Sequence, residues 1–421
     1  EAFGDDAGQD SVFDVAATTG SFVGVGDGVT ITLQALVDIT VSNNFNLATA
    51  TGNTNVSLLL QAGDDIHVNA IVTASGTGAL TLSADDNGPD GTGDINIGAA
   101  GGLTTAGQAI NLTGKTLSIA AGGTINSGSG AITISPSQAS TVGLGAGAGT
   151  LNITDAEFDA ITTSGLLTIG GSNATSFTVD TLSVPASVSG TVALTATGAG
   201  GSIIFSGGAS STPGALTLTA KDGVTLNQSL TTGGTTSINS DSNADASGDF
   251  TVGNTRTLNT SGNSLSITAD DVVLTGTGAL NSGVGSVTLI PSTSQAVGIG
   301  TANAATFVVL DAELDNITTS GTLTIGSSNA SSVVVDNVTS PTGITGTFAI
   351  ISAGAISFLN NASAFTAGLS LTAGNTISQT FGISGTTLTA KTKKDGGAAI
   401  TLDSADNNFT TISLSSRNAA D

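Results

Sequence analysis

The sequence predicts an all-β protein, and within that class a right-handed parallel β-helix, or β-solenoid. Three observations predict it: short runs in which apolar and polar residues alternate, clusters of Gly, Asn, Asp and Ser between the runs, and a long internal repeat. Alternation with a period of two indicates a strand that buries one face. Tandem β-sandwich domains are the alternative fold, because they also consist of short alternating strands.

The alternating runs are three residues or slightly longer, and each reads apolar, polar, apolar. They include residues 80–82, 95–97, 110–112, 117–119, 132–134, 151–153, 167–169, 192–194, 216–218, 265–267 and 323–325. Gly-rich turns separate them, instead of the Asn-Gly or Asp-Gly pairs typical of hairpins. Phe supplies all 14 aromatic residues, which suits a narrow coil filled with Val, Ile, Leu and Ala. A coil of about 20 residues that rises about 4.8 Å predicts a rod near 100 Å long.

The internal repeat is about 155 residues long. Residues 155–180 and 311–336 agree at 19 of 26 positions with an offset of 156 (311 − 155), and Pro136 pairs with Pro291 at an offset of 155 (291 − 136). We predict one continuous solenoid over residues 1–421, since stacked repeats build one extended fold. Its predicted internal repeats lie at about 1–85 (partial), 86–240, 241–395 and 396–421 (partial).

The composition excludes several classes of protein. The 421 residues include no Cys and one His, and 7 Lys+Arg stand against 31 Asp+Glu, for a formal net charge of −24. The absence of Cys excludes disulfides and thiolate zinc sites, and a single His excludes sites with several histidines. The scarcity of cations argues against nucleic acid as a partner. No apolar run reaches the length of a membrane-spanning helix, so no membrane span is predicted.

A repeated Asp-rich loop is the strongest candidate for a chemical site. In the second copy oxygen side chains stand at alternate positions, a spacing that resembles the first half of a calcium loop, since Ca²⁺ prefers several such oxygens. The first copy keeps Asp at the first, fifth and ninth of these positions. The predicted ligands are Asp86, Asp90 and Asp94 in the first copy, and Asp241, Asn243, Asp245, Ser247 and Asp249 in the second. The other interpretation is a surface turn, because Asp, Asn and Gly favour turns. Ca²⁺ is the only cofactor predicted.

A second acidic motif follows the capping-box pattern of Thr154 and Glu157. It predicts a short helix that packs Phe158 on the rod. The carboxylates of this motif are Asp155, Glu157 and Asp159, with Asp311, Glu313 and Asp315 in the second copy. They could act as paired acids and bases, but a solvated acidic face of the helix is the favoured interpretation, and no catalytic residue is predicted.

Three further features have structural interpretations. Lys391, Lys393 and Lys394 form the only basic cluster in the sequence and are predicted as a solubilising turn. The remaining cations, Lys115, Lys221, Arg256 and Arg417, are predicted to be scattered. His67 alternates with apolar neighbours and is predicted to face outward. The Gly-rich run 143–149 resembles a nucleotide loop, but no βαβ unit follows, so a tight turn is predicted.

Several segments resemble the long β-strand-repeat exoproteins of bacteria, the filamentous-haemagglutinin-type adhesins and related giant surface proteins. The resemblance rests on GALTLTA from Gly214, GTLTIGSSNA from Gly321, GTLNITDAEFDAITTSGLLTIG from Gly149 and the ITIS-P element from Ile132. It implies a secreted β-helical rod that serves in adhesion, in a surface coat or in a matrix.

The predicted function is therefore that of an extracellular structural or adhesive surface protein, without catalysis, that forms a stiff rod or an end-to-end filament. No amphipathic capping helix is evident, and uncovered strand edges tend to pair. The predicted partners are further copies of the chain or further repeats of a larger chain, and also glycans or a cell surface. A glycan- or ice-binding adhesin module and a β-helical polysaccharide-degrading enzyme are the alternatives.

Overall fold

Residues 11–13, 22, 24–86, 91–301 and 305–417 are described by a computed structural model, with the backbone alone for 11–13. The chain divides into two compact units, residues 1–217 (unit 1) and 218–421 (unit 2). Strand Leu216–Ala220 contains the boundary between them. That the chain forms one continuous solenoid stays a prediction.

The regular secondary structure of unit 1 consists almost entirely of short strands. In chain order its elements are β1 (Ser11–Phe13), β2 (Thr30–Ala35), β3 (Ile39–Val41), β4 (Phe45–Asn46), α1 (Leu47–Thr51), β5 (Ser57–Ala62), β6 (Ile66–Val68), β7 (Ile71–Ala74), β8 (Leu80–Ser83), β9 (Ile95–Ile97), β10 (Gly102–Thr105), β11 (Ile110–Gly114), β12 (Leu117–Ile119), β13 (Thr124–Gly128), β14 (Ile132–Pro136), β15 (Ser140–Gly145), β16 (Leu151–Ile153), α2 (Asp155–Asp159), β17 (Ile161–Thr163), β18 (Leu167–Gly171), β19 (Ala174–Asp180), β20 (Val192–Ala196), β21 (Ser202–Ser206) and β22 (Ser210–Thr212). The boundary strand Leu216–Ala220 is β23.

Unit 2 has the same character. Its elements are β24 (Val224–Leu226), β25 (Leu230–Thr232), β26 (Thr236–Asn239), β27 (Phe250–Val252), β28 (Thr257–Asn259), β29 (Leu265–Ala269), β30 (Val272–Leu274), β31 (Ala279–Gly283), β32 (Val287–Pro291), β33 (Gln295–Gly300), β34 (Phe307–Leu310), α3 (Asp311–Leu314), β35 (Ile317–Thr319), β36 (Leu323–Ser327), β37 (Ala330–Asp336), β38 (Phe348–Ser352), β39 (Ile356–Phe358), β40 (Ser363–Ala364), β41 (Leu369–Ala373), β42 (Ile377–Gln379), β43 (Ile383–Ser384), β44 (Thr387–Thr392), β45 (Ile400–Thr401) and β46 (Thr411–Ser416). The predicted strands are confirmed, and three of them, at 95–97, 117–119 and 151–153, have the predicted bounds.

The strands pair into long parallel sheets. In unit 1 the longest sheet has the strand order β2-β5-β8-β11-β14-β18-β20. The other sheets have the orders β1-β3-β6-β9-β12, β17-β13-β10-β7-β4 and β16-β15-β19-β21. In unit 2 the longest sheet has the strand order β26-β29-β32-β36-β38-β41-β44-β46. The other sheets have the orders β24-β27-β30, β25-β28-β31-β35, β34-β33-β37-β39-β42-β45 and β40-β43. Most sheet neighbours are separated in sequence by strands of the other sheets, and the exceptions are β15 with β16 and β33 with β34, which follow each other directly. This all-β, parallel arrangement is consistent with a β-solenoid and differs from the antiparallel sheets of the sandwich alternative.

The core consists of columns of apolar, mainly aliphatic, side chains in register. Along the longest sheet of unit 1, one column contains Leu58, Leu80, Ile110, Ile132, Leu167 and Val192, all buried. The corresponding column of unit 2 contains Leu265, Val287, Leu323, Phe348, Leu369 and Leu388. Each such side chain contributes about 1.5–3 kcal/mol when fully buried. The alternating sequence therefore selects which face of every strand points inward.

The spacing of the columns corrects the predicted coil length of about 20 residues. In unit 1, Leu80 follows Leu58 by 22 residues (80 − 58), whereas Leu167 follows Ile132 by 35 (167 − 132). In unit 2, Leu323 follows Val287 by 36 residues (323 − 287). These long spacings contain the helices: α2 lies between β14 and β18, and α3 lies between the corresponding strands β32 and β36. The repeat that was found in the sequence is thus also a repeat of structure.

The short helices follow from their caps. Thr154 and Glu157 form the predicted capping box of α2: the Thr154 Oγ1 accepts from the Glu157 N–H, and the Glu157 carboxylate accepts from the Thr154 N–H. Phe158 is fully buried, as predicted. Helix α1 is not predicted by the sequence; the Asn46 side chain caps its first turn. In the part of the chain that the structure describes, no helix is long and apolar enough to span a membrane.

The Gly-rich run 143–149 forms the predicted tight turn. It joins β15 to β16, which pair in parallel with Val142 opposite Leu151. A Cβ atom on Gly147 would lie 2.0 Å from the Thr178 carbonyl oxygen, and one on Gly149 would lie 2.1 Å from the Gly143 nitrogen. Only glycine allows the backbone to approach this closely.

Candidate functional site

The Asp-rich turn of unit 2 is organised around one buried carboxylate. Asp241 is 2% exposed. Its Oδ1 accepts from the Asp245 N–H at 3.2 Å, and its Oδ2 accepts from the Ala246 N–H at 3.2 Å and from the Ser292 hydroxyl at 2.5 Å. The side chain therefore closes the turn on itself and ties it to the residue that follows β32. Carboxylates accept such bonds strongly because they are charged.

The counterpart in unit 1 is Asp85, and not Asp86 as the sequence offset suggested. Asp85 is 1% exposed, and its carboxylate accepts from the Gly91 N–H and from the Ser137 hydroxyl. The turn of unit 1 is one residue longer than that of unit 2, which moves the equivalent Asp by one position. Asp86 instead accepts from the Gln61 amide at 2.6 Å and from the Ser83 hydroxyl at 2.8 Å.

Three of the other predicted calcium ligands, Asn243, Asp245 and Ser247, also bond within the protein, whereas the buried Asp94 Oδ1 has no hydrogen-bond partner among the described residues. The two oxygens of Asp245 accept from the Asn243 amide and from the Ser247 hydroxyl. Asp90 lies outside the described residues. Among the residues that are described, no three of the His, Asp or Glu side chains form a group that could hold a metal ion. Calcium binding at these turns stays a prediction, and the visible role of the carboxylates is to cap the turns.

This geometry predicts unequal effects at two neighbouring acids. Replacing Asp241 by alanine should lower the free energy of unfolding by about 2–3 kcal/mol, because it leaves two backbone N–H groups and one hydroxyl without their acceptor. Replacing Asp245, which is exposed, should change it by less than about 0.5 kcal/mol. Denaturant unfolding measures both values, and equal effects of the two substitutions would contradict the capping role.

The same variants test calcium. If calcium binds, EDTA should lower the melting temperature of the wild-type chain and added Ca²⁺ should restore it, since a ligand of the folded state stabilises it. The loss caused by Asp241→Ala should persist in EDTA, because the carboxylate acts on the N–H groups of its own turn.

A column of acidic residues lies at the amino-terminal ends of strands in one sheet of unit 1. This column is not predicted from the sequence. The Asp38 Oδ1 accepts from the Asp65 N–H at 2.9 Å, and the Asp65 Oδ1 accepts from the Asp94 N–H at 2.7 Å. Each Asp precedes a strand, and those strands, β3, β6 and β9, pair in register. Burial raises the pKa of Asp65, and the carboxylates of Asp64, Asp94 and Asp38 raise it further. Asp94 therefore belongs to this column and not only to the Asp-rich loop.

Unit 2 carries the same feature at two positions. Asp249 precedes β27 and Asp271 precedes β30. The Asp271 Oδ1 accepts from the Val272 and Val308 N–H groups, both at 2.9 Å. Burial raises the pKa of Asp271 to about 7, with smaller contributions from the charges of Glu313 and Asp249. The pKa of Asp249 is raised as well, mainly by burial.

The acidic helix motif joins two sheets through its glutamate. In unit 2, Glu313 Oε1 accepts from the Leu274 N–H of β30 and Oε2 accepts from the Leu310 N–H of β34, both at 2.8 Å. In unit 1, Glu157 does the same for Ile119 and Thr154. The glutamate thus satisfies strand N–H groups where one sheet ends and the next begins.

This role corrects the interpretation of the motif as a solvated acidic face. Glu313 is only 7% exposed, and burial raises its pKa. Asp155 and Asp311 accept from the N–H groups of Ser183 and Thr339. Only Asp159 and Asp315 are exposed as predicted.

The cations of the carboxyl-terminal part lie closer together than the sequence indicated. Lys391 on β44 stands opposite Ser415 on β46. Together with Lys393 and Arg417 they line a groove of about 490 Å³. Arg417, which the sequence predicts to be scattered, therefore joins the basic cluster, and its Nε lies 3.5 Å from the Asp395 Oδ1. Lys394 does not line this groove; its Nζ lies 3.5 Å from the Asn375 Oδ1.

His67 faces outward from β6 as predicted. About a third of its side chain is exposed, and its Nε2 lies 3.8 Å from the Asp65 Oδ2.

Comparison with family models, curated proteins and solved structures finds no match to this chain. The resemblance to filamentous-haemagglutinin-type exoproteins therefore stays a prediction.

Proposed function

We propose that the chain is a structural or adhesive protein of the cell exterior, without catalytic activity, built as a right-handed parallel β-solenoid that joins end to end with another strand-bearing surface. The parallel sheets and the aliphatic columns support the solenoid. In such a fold each coil gains stability mainly from its neighbours, so a free coil edge favours further stacking.

One observation carries the proposal of end-to-end joining. On β46, Ile412 stands opposite the buried Leu388 and Leu414 stands opposite the buried Ala390. Both therefore occupy core positions, yet they are 55% and 53% exposed. A strand added to β46 would bury both side chains and pair the backbone N–H and C=O groups of β46 that have no strand partner among the described residues. The added strand would come from a second copy or from further repeats of a larger chain.

The hydrogen bonds of four acids, three of them buried and one half-buried, support a structural role. Asp85, Asp241, Glu157 and Glu313 direct their carboxylates at backbone N–H groups, and not into a shared cleft. A general acid or base must instead reach the proton that it transfers. An exterior location rests on the resemblance to secreted β-strand-repeat proteins.

Electron microscopy and light scattering of the purified chain test the assembly. Wild-type protein is expected to form filaments as its concentration rises. The double variant Ile412→Asp, Leu414→Asp should stay dispersed, because charge at core positions blocks strand addition. The double variant Thr411→Asp, Ser413→Asp is the matched control: it places the same charges on the outward face of the same strand and should still assemble. Dispersed wild-type particles at high concentration would overturn end-to-end assembly.

A further inference from the structure

The outward face of β44 and β46 differs from the rest of the longest sheet of unit 2 in its charge. Outward positions alternate with core positions, so Thr389 and Lys391 of β44 lie beside Ser413 and Ser415 of β46. All four are exposed. Neighbouring outward residues are about 6.7 Å apart along a strand and about 4.8 Å apart across strands. The hydroxyl groups on this face therefore lie next to the cationic side chains.

The groove at this face concentrates the positive charge of the chain. Lys391, Lys393 and Arg417 line it, and Lys394 follows in the sequence, so four of the seven Lys and Arg residues lie between positions 391 and 417. The first 114 residues contain none. Asp395, whose Oδ1 lies 3.5 Å from the Arg417 Nε, offsets one of these positive charges. In a chain of net charge −24, the excess of cations that remains here attracts an anion that most of the surface repels. A local cationic groove of this kind determines where an anion can bind.

We propose that this face binds an acidic saccharide, with a carboxylate between Lys391, Lys393 and Arg417 and with sugar hydroxyls on Thr389 and Ser413. The arginine guanidinium matches a carboxylate with paired N–H donors. Ser and Thr hydroxyls both donate and accept, as sugar hydroxyls do. The groove volume of about 490 Å³ lies in the range of small-ligand sites, about 300–1,000 Å³. This binding activity goes beyond the structural role and does not depend on assembly.

The row of hydroxyls favours a saccharide over other anions. A phosphate or sulfate ion would use the cations alone, and an acidic peptide would bring no hydroxyls to Thr389 and Ser413. A short oligosaccharide with one carboxylate per sugar fits both the hydroxyls and the cations. A long polyanion would extend over the acidic remainder of the surface and be repelled by it.

Isothermal titration calorimetry of the whole chain in 0.15 M NaCl tests the proposal with the trisaccharide of galacturonic acid. We expect binding that weakens as salt is raised, and at least about tenfold weaker binding of neutral galactotriose, of triglutamate and of sulfate; a tenfold change corresponds to about 1.4 kcal/mol. No binding of the acidic trisaccharide would overturn the proposal. Equal binding of triglutamate or sulfate would also overturn it, since that result indicates general attraction of anions.

Matched charge variants locate the site. Lys391→Gln with Lys393→Gln should weaken trisaccharide binding at least about tenfold. Lys115→Gln with Lys221→Gln removes the same charge elsewhere and should leave binding unchanged. Thr389→Ala with Ser413→Ala should weaken the acidic trisaccharide and leave sulfate unaffected. Unfolding curves verify that each variant folds, which is expected because Lys391, Lys393, Thr389 and Ser413 are exposed. Wild-type affinity in the Lys391, Lys393 variant would overturn the assignment.

Discussion

Replacing Glu313 by alanine is expected to lower the free energy of unfolding by about 2–3 kcal/mol. The substitution removes the carboxylate that accepts from the N–H groups of Leu274 and Leu310. An unpaired buried N–H group costs about 1–3 kcal/mol, and removal of a buried charge offsets part of the cost of two such groups. Denaturant unfolding measures the total effect.

Amide hydrogen exchange gives the local part of this prediction. Exchange at Leu274 and Leu310 should accelerate in the Glu313→Ala variant, since both amides lose their acceptor. Asp315→Ala is the control, because Asp315 lies next to the same helix and is exposed. If the two variants unfold at the same denaturant concentration, the glutamate does not join the two strands as the structure indicates.

Replacing Asp271 by asparagine is expected to stabilise the chain at alkaline pH. Burial and neighbouring carboxylates raise the pKa of Asp271 to about 7, from an ordinary value of 3.8. The folded chain therefore binds more protons at this site than the unfolded chain between about pH 4 and pH 7. By linkage, the free energy of unfolding falls as the pH rises through this window.

The asparagine retains the hydrogen bonds, because Oδ1 alone accepts from the Val272 and Val308 N–H groups. The whole shift corresponds to about 4 kcal/mol at 1.36 kcal/mol per pKa unit, and solvent contact of the side chain reduces it. We expect a gain of about 1–2 kcal/mol at pH 8 and little change at pH 4. Unfolding measured between pH 4 and pH 9 provides the comparison.

Asp315→Asn controls for net charge in this experiment. It removes one negative charge from an exposed position of the same unit, so it separates the effect of burial from that of overall repulsion in a chain of −24. An equal gain in the free energy of unfolding from both substitutions at pH 8 would contradict a local origin of the stabilisation by Asp271→Asn. The raised pKa values of Asp249, Asp270 and Glu313 act in the same direction, so wild-type stability should be higher at pH 5 than at pH 8.

The strands were predictable because their signal is local. A run such as 117–119 carries its own alternation, and the structure places a strand with those bounds there. The choice between solenoid and sandwich was less direct, because alternation indicates a buried face and is the same for parallel and antiparallel neighbours. Turn composition favoured the solenoid, and the parallel sheets agree with that choice.

The candidate site was only partly predictable. The Asp-rich turns were recognised, but a difference of one residue in turn length led the sequence alignment to Asp86 in place of Asp85. The partner of Glu157 is the N–H group of Ile119, 38 residues earlier. No local pattern marks such a pair, because the coil path alone brings the two residues together.

The sequence by itself determined the class of secondary structure, the repeat and the inward face of each strand, since these depend on residue order over a few positions. Only the tertiary structure decided which coil residues meet. Lys391 and Ser415 are 24 residues apart (415 − 391) and become neighbours when β44 pairs with β46. The coil length of 19 to 36 residues in unit 2 sets every such pairing. That length depends on how turns and inserted helices pack, which involves contacts far apart in the chain.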